Sequence, residues 1–169
     1  MSKLLENLWL GDIHDAQNEQ FIKSNNINVI VNCTKGLPFI DLPISFKYRI
    51  PVNDDLQEQS FQEMFNAMTY IIPVLVKHIN RGDRILIHCY AGVQRSAIVT
   101  LALLTTLTYP NMSCIYLTEE SLQQFCMNLK TYMSEYRPIV FTPNMNFKKS
   151  YTMWLQYYLQ QYNTNTNIM

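Results

Sequence analysis

The sequence lacks a charge imbalance: Lys+Arg and Asp+Glu number 13 each in 169 residues. A broad basic face for nucleic acid or anionic lipid is therefore not expected, and any anion binding must be local. The chain has no uninterrupted apolar stretch near its start, where Lys3, Glu6 and Asn7 break up Met1 to Leu10. No signal-peptide core is visible, and secretion is not expected. Its longest near-apolar run, Ala97 to Tyr109, contains Thr100, Thr105, Thr106 and Thr108 and falls short of the roughly 20 residues that a bilayer span needs. That run reads as a buried helix, and no membrane span is expected. Cys33, Cys89, Cys114 and Cys126 show neither a CxxC pair nor a metal-finger spacing. This argues against structural zinc and fits a reducing compartment, cytoplasmic or nuclear. No internal repeat and no linker-like composition divides the chain. What is present is 48% hydrophobic and 15% charged residues, ordinary for a globular protein, and enough length for one domain with a sizeable core.

Strand-like and helix-like stretches alternate. Leu8 to Leu10 is a short apolar piece stopped by Gly11. Asn28 to Thr34 is rich in β-branched residues and ends at a Lys35-Gly36 turn, while Phe46 to Pro51 and Arg84 to His88 read as further strands. Asp15 is placed to cap a helix running to Ser24. Ser60 with Glu63 forms a capping box before an apolar-periodic run to Asn80, ended by Gly82 and kinked or divided at Pro73. The helix after the Cys89 loop is expected to stop at Pro110. Thr118 with Glu119 and Glu120 opens another, and Thr142-Pro143 opens the last, with proline at the first helical position and an end at Tyr162. Tyr151, Trp154, Leu155 and Tyr158 are spaced to dock that helix on the core. Residues 1–162 thus form one domain, and the polar tail 163–169 is expected to fray. Cys33, Cys114, Cys126, His14 and His78 carry no motif of their own and read as core or helix-face residues.

The stretch His88-Cys89-Tyr90-Ala91-Gly92-Val93-Gln94-Arg95-Ser96 carries the chemistry. A cysteine leaving a strand, five residues, and an arginine starting a helix place a thiol at the centre of a loop whose amide hydrogens can point inward. The helix dipole and these donors favour a dianion, and the planar fork of Arg95 can bind two phosphate oxygens. Gly92 supplies a backbone conformation that a side chain would hinder. The same field favours the thiolate form of Cys89. The bland alternative, a buried structural cysteine beside a surface arginine, leaves the other residues of the pattern unexplained.

The segment resembles the HCxxGxxRS signature of the protein tyrosine phosphatases, and HCYAGVQRSA is most similar to their small dual-specificity members. LWLGDIHDAQN, NVIVNCT and YRIPVNDD resemble the family's opening strand and turn, next core strand and general-acid approach; Arg137-Pro138 and Pro143-Asn144-Met145-Asn146-Phe147 resemble its R…PNxxF ending. The stretch from Asn111 to Lys130 shows little of the pattern. The resemblance implies an α/β fold, a central mostly parallel twisted sheet flanked by helices. It implies hydrolysis of phosphomonoesters without metal or organic cofactor: Cys89 as nucleophile; Arg95 with the loop amides of Tyr90, Ala91, Gly92, Val93 and Gln94 holding the phosphoryl group; Asp54 as general acid, with Asp55 competing for that role; Ser96 assisting the sulfur as leaving group; His88 ordering the loop. It also implies that Cys33, at a place where some relatives carry a redox partner, can form a disulfide with Cys89. The short chain implies a shallow pocket open to phosphoserine and phosphothreonine as well as phosphotyrosine. Tyr90, Ala91, Val93 and Gln94 bring no basic group into the loop, which favours a phosphoprotein substrate over a phosphoinositide, and the charge balance argues against RNA 5′ phosphates and other nucleic acid. A non-catalytic phosphoprotein-binding module is the alternative from another class. A homodimer is allowed, but no segment declares an interface.

Overall fold

A computed structural model describes residues 1–112 and 119–166. β1 (Ser2–Leu5) and β2 (Leu8–Gly11) pair antiparallel, and β3 (Val29–Asn32), β4 (Phe46–Arg49) and β5 (Ile85–His88) complete a five-stranded sheet in the order β1-β2-β5-β3-β4. All pairs other than β1–β2 are parallel. The expected mostly parallel sheet is therefore present, with β1 as an antiparallel edge that the sequence pattern did not reveal. Because the side chains of a strand alternate between faces, Leu8, Leu10, Val29, Val31, Ile85 and Ile87 enter one core while Trp9, Ile30 and Leu86 enter the other. The larger core is closed by α3 (Glu58–Asn80), α4 (Arg95–Met112), α5 (Glu119–Tyr136) and α6 (Lys148–Thr166). The smaller is closed around Ala16 of α1 (Ile13–Ala16) and Ile22 of α2 (Glu19–Ser24). Each fully buried aliphatic side chain of this kind stabilises the fold by about 1.5–3 kcal/mol.

α4 lies in the middle of the larger core, and its threonines show how a polar sequence survives there. Thr100, Thr105, Thr106 and Thr108 each donate their hydroxyl to the carbonyl four residues back, at 2.7–3.1 Å. Thr105 also pairs with the hydroxyl of Tyr151 at 2.8 Å. Tyr151 and Trp154 are buried and Leu155 and Tyr158 pack against the same core, so α6 docks through the expected stripe.

Several boundaries differ from the pattern. The stretch expected to be one helix under Asp15 is two: Asp12 caps α1 in a reciprocal box with Asp15, and Asn18 caps α2. α3 begins at Glu58, ahead of the expected capping box, and buries Ser60 in its first turn. Pro73 does not divide α3; it faces solvent between Ile71, Ile72 and Leu75, whose burial holds both halves to the core. Pro110 likewise lies inside α4, which continues to Met112. Thr142-Pro143, joined by a cis peptide bond, belongs to a turn that precedes α6, because the peptide groups of this turn are engaged by Gln94. α6 runs past Tyr162 to Thr166. Cys114, Thr118 and residues 167–169 lie outside the described residues. His14 is exposed on α1, Cys126 half-buried on α5, and His78 buried between the Tyr48 hydroxyl and the Asp83 carboxylate. No helix among the described residues is long and apolar enough to cross a membrane.

Candidate active site

The carboxyl ends of the parallel strands lie along one edge of the sheet, where open α/β sheets hold their ligands. β5 ends there at His88, the loop Cys89–Gln94 follows, and Arg95 begins α4. The conformation of this loop is imposed from outside. The carbonyl of Tyr90 accepts from the Ile13 N–H at 3.1 Å, and that of Val93 from Phe141 N–H at 3.0 Å. The Gly92 carbonyl accepts from Arg137 Nε and the Ala91 carbonyl from Arg137 Nη2, each at 3.0 Å. The Gln94 carbonyl accepts from Ile98 N–H inside α4. With its carbonyls drawn outward, the loop turns amide hydrogens toward the sulfur: Gly92 N–H donates to Cys89 Sγ at 3.2 Å. Gly92 has φ +68, and a Cβ there would meet Arg137 Nη2 and the Gly11 carbonyl oxygen at 2.6 Å.

Cys89 is 2% exposed, and Ser96 Oγ donates to its sulfur at 3.1 Å. Two donors thus converge on one sulfur. Arg95 Nη1 donates to the Val52 carbonyl at 3.2 Å, which fixes the guanidinium; its Nε is buried without a hydrogen-bond partner. A buried guanidinium N–H without a partner is a donor that an anionic ligand could satisfy. Asp54 Oδ2 lies 3.8 Å from that Nε, and Asp54 Oδ1 accepts from Asn146 Nδ2 at 2.8 Å. Asp55 faces elsewhere: its carboxylate accepts from the Gln57 N–H at 3.1 Å at the entrance to α3, and the neighbouring Ser60 hydroxyl and this N–H hold it below the usual carboxylate range.

His88 is buried, with Nδ1 3.4 Å from the Cys89 carbonyl oxygen. Burial pushes its imidazole down to about 4, against that bond and with the help of Arg49, so at neutral pH it is uncharged. Tyr90 is 63% exposed at the rim, Ala91 is exposed, Val93 half-buried and Gln94 buried. Cys33 continues β3 beside Cys89: its N–H donates to the His88 carbonyl at 2.8 Å, and both sulfurs join the larger core. Burial pushes the Cys33 thiol well up, and the neighbouring Cys89 pushes the same way.

Three participants carried no assigned role in the sequence reading. Arg137 matched a pattern, but its part as clamp of the loop depends on Asp12, whose carboxylate it meets at 3.2 Å. Burial pushes the Asp12 carboxyl up, but the Asp15 N–H and Arg137 more than offset it. The Val52 carbonyl and the Asn146 side chain belong to segments distant in sequence from the loop they serve. Among the described residues no group of His, Cys, Asp and Glu is gathered for a metal ion.

The family described as "Dual specificity phosphatase, catalytic domain" matches residues 8–157. Human Dual specificity protein phosphatase 16 is 26% identical over 147 residues, which are 86% of this chain and 19% of that protein. Dual specificity protein phosphatase 22 of Xenopus laevis is 30% identical over 110 residues, 64% of this chain and 49% of that protein. The chain thus spans half or less of the length of these relatives. The crystal structure of human DUSP28 shares the fold, with a TM-score of 0.76 at 19% identity over 95% of this chain and 99% of that one.

Proposed function

Since the chain belongs to the dual specificity phosphatase catalytic-domain family, we propose that it hydrolyses phosphomonoesters on phosphoproteins, phosphotyrosine and phosphoserine or phosphothreonine alike. The observation that carries this reading is the loop itself: donors from Gly92 and Ser96 converge on Cys89 Sγ, and Arg95, which closes the loop, keeps its buried Nε without a partner. Cys89 attacks phosphorus in line; the sulfur–phosphorus bond forms as the phosphorus–oxygen bond breaks. Arg95 and the loop amides take up the charge on the equatorial oxygens. Asp54 gives its proton to the departing oxygen, and as carboxylate it then takes a proton from the water that attacks the cysteinyl-phosphate. Sulfur leaves as thiolate, toward the Ser96 hydroxyl. The bonds that commit Asp55 to the start of α3 favour Asp54 for the acid role. An uncharged His88 suits a part in ordering the loop. A reducing cytoplasmic or nuclear compartment suits a thiolate enzyme.

Turnover of a small aryl phosphate tests the reading. Wild-type protein hydrolyses it and Cys89→Ser does not; a clean wild-type preparation without turnover would make the chain a binding module. Asp54→Asn should slow esters of poor leaving groups strongly and activated esters little, with Asp55→Asn close to wild type. The reverse result would shift the acid by one residue. Phosphopeptides, phosphoinositides and 5′-triphosphorylated RNA assayed side by side identify the substrate class, and phosphopeptides are expected to lead.

Cys33 adds an expected response to oxidation. Peroxide converts the Cys89 thiolate to sulfenic acid, and the Cys33 thiol then displaces water from it to form a disulfide. Lateral adjacency of the two residues on parallel strands supports this step. Mild peroxide should inactivate the enzyme reversibly, with a Cys33–Cys89 peptide in the digest. Equal recovery by dithiol in wild type and Cys33→Ser, without the cross-linked peptide, would leave Cys33 a core residue only.

A further inference from the structure

Gln94 is buried, and its side chain spends all its hydrogen bonds on one turn. Nε2 donates to the Thr142 carbonyl at 3.2 Å and to the Asn144 carbonyl at 2.8 Å, and Oε1 accepts from Asn146 N–H at 3.0 Å. The turn so held carries Asn146, whose Nδ2 donates to Asp54 Oδ1 at 2.8 Å. A connected set of four hydrogen bonds therefore links the residue before Arg95 to the Asp54 carboxylate. Asp54 has little else to fix it: it sits in the segment between β4 and α3, it is exposed, and its charged neighbour, Arg95 Nε, is 3.8 Å from Oδ2.

We propose that Gln94 and Asn146 are positioning residues for Asp54. Gln94 sets the turn, Asn146 holds Oδ1, and Oδ2 is thereby the oxygen that faces Arg95 and carries the proton. The inference rests on the reading of Asp54 as general acid. In the first step the electron pair of the phosphorus–oxygen bond leaves with the departing oxygen, which takes the proton from Oδ2. The carboxylate so formed accepts the Asn146 N–H as a charge-assisted bond, stronger than the one to the neutral acid. The contact thus favours proton donation as well as fixing its geometry, and a carboxyl group free to rotate would lose both.

The test is kcat/KM over a series of aryl phosphates of graded leaving-group basicity, with orthovanadate inhibition and thermal midpoint measured on the same proteins. For Asn146→Ala the poorest leaving group should lose on the order of tenfold, the most activated about twofold or less, and vanadate affinity should stay within about twofold. Gln94→Ala should show the same bias. If the loss of its three bonds to the turn lowers the midpoint too far, Asn146→Ala decides alone, because Asn146 is only partly buried. Adding Asn146→Ala to Asp54→Asn should cost nothing further, since both changes remove one proton transfer. Equal losses on all esters, or additive losses in the double variant, would reduce the contacts to structural ones and overturn the inference. If Asp54→Asn shows the leaving-group bias and Asn146→Ala does not, the inference falls alone; if Asp54→Asn shows none, the reading of Asp54 falls and takes the inference with it.

Discussion

Arg95→Lys is expected to lower kcat/KM on any phosphomonoester by on the order of 10²–10³-fold, although the charge is kept. The guanidinium has two tasks at once. Nη1 is bound to the Val52 carbonyl, which aims the plane of the group, and the buried Nε is left to the phosphoryl oxygens. An ammonium is a compact donor on a flexible stem; turned to Val52 it abandons the phosphoryl group, and turned to the phosphoryl group it leaves the carbonyl unpaired. Neither position reproduces two parallel bonds to two oxygens. Steady-state kinetics on an aryl phosphate, with vanadate affinity as a second readout, check this. A near-wild-type rate would mean that the amides alone hold the transition state.

Gly92→Ala should be nearly as damaging, and for a different reason. The residue sits at φ +68, and the new methyl group would lie 2.6 Å from Arg137 Nη2 and from the Gly11 carbonyl oxygen. The conformational strain and the displaced contacts together should cost about 2–4 kcal/mol of stability. The loop must also shift, so the Gly92 N–H leaves the sulfur and the rate falls on the order of 10²-fold, as small misplacements at a reacting centre do. Gly82→Ala is the internal control. Gly82 has φ +79 with nothing within 4 Å of the added atom, so only backbone strain of about 1–2 kcal/mol applies and turnover is unchanged. Urea midpoints and kcat of the two variants separate the effects; equal rates for both would show that the Gly92 crossing is not needed.

Chemistry written in consecutive residues was legible in the sequence, because one strand, one loop and one helix start suffice to gather Cys89, Gly92, Arg95 and Ser96. The β-branched stretches around Val29 and Ile85 were legible for the same local reason, since their side chains fill both faces of a parallel sheet. Asp54 and Asp55 could not be separated by local pattern. What separates them is Gln57 N–H engaging one, and Asn146, reached only through the fold, engaging the other. Pro73 and Pro110 misled for a related reason: local propensity argued for a break, while α4 continues to Met112 and the burial of Ile71, Ile72 and Leu75 keeps α3 whole. Arg137 meets the loop across 45 positions of sequence, a contact that no periodicity encodes.

The outward carbonyls of the loop have a consequence for how the protein loses its site. Their donors come from Ile13 in α1, from Arg137 and Phe141 after α5, and from Ile98 in α4. Segments far apart in the chain thus share in keeping one short piece of backbone oriented. Fraying of any of them releases a carbonyl, and a released carbonyl lets its peptide plane flip and present oxygen, not hydrogen, to an incoming anion. The cradle therefore has no sub-global opening of its own that leaves it competent. Loss of the loop geometry therefore reports on the integrity of the separate segments that hold it.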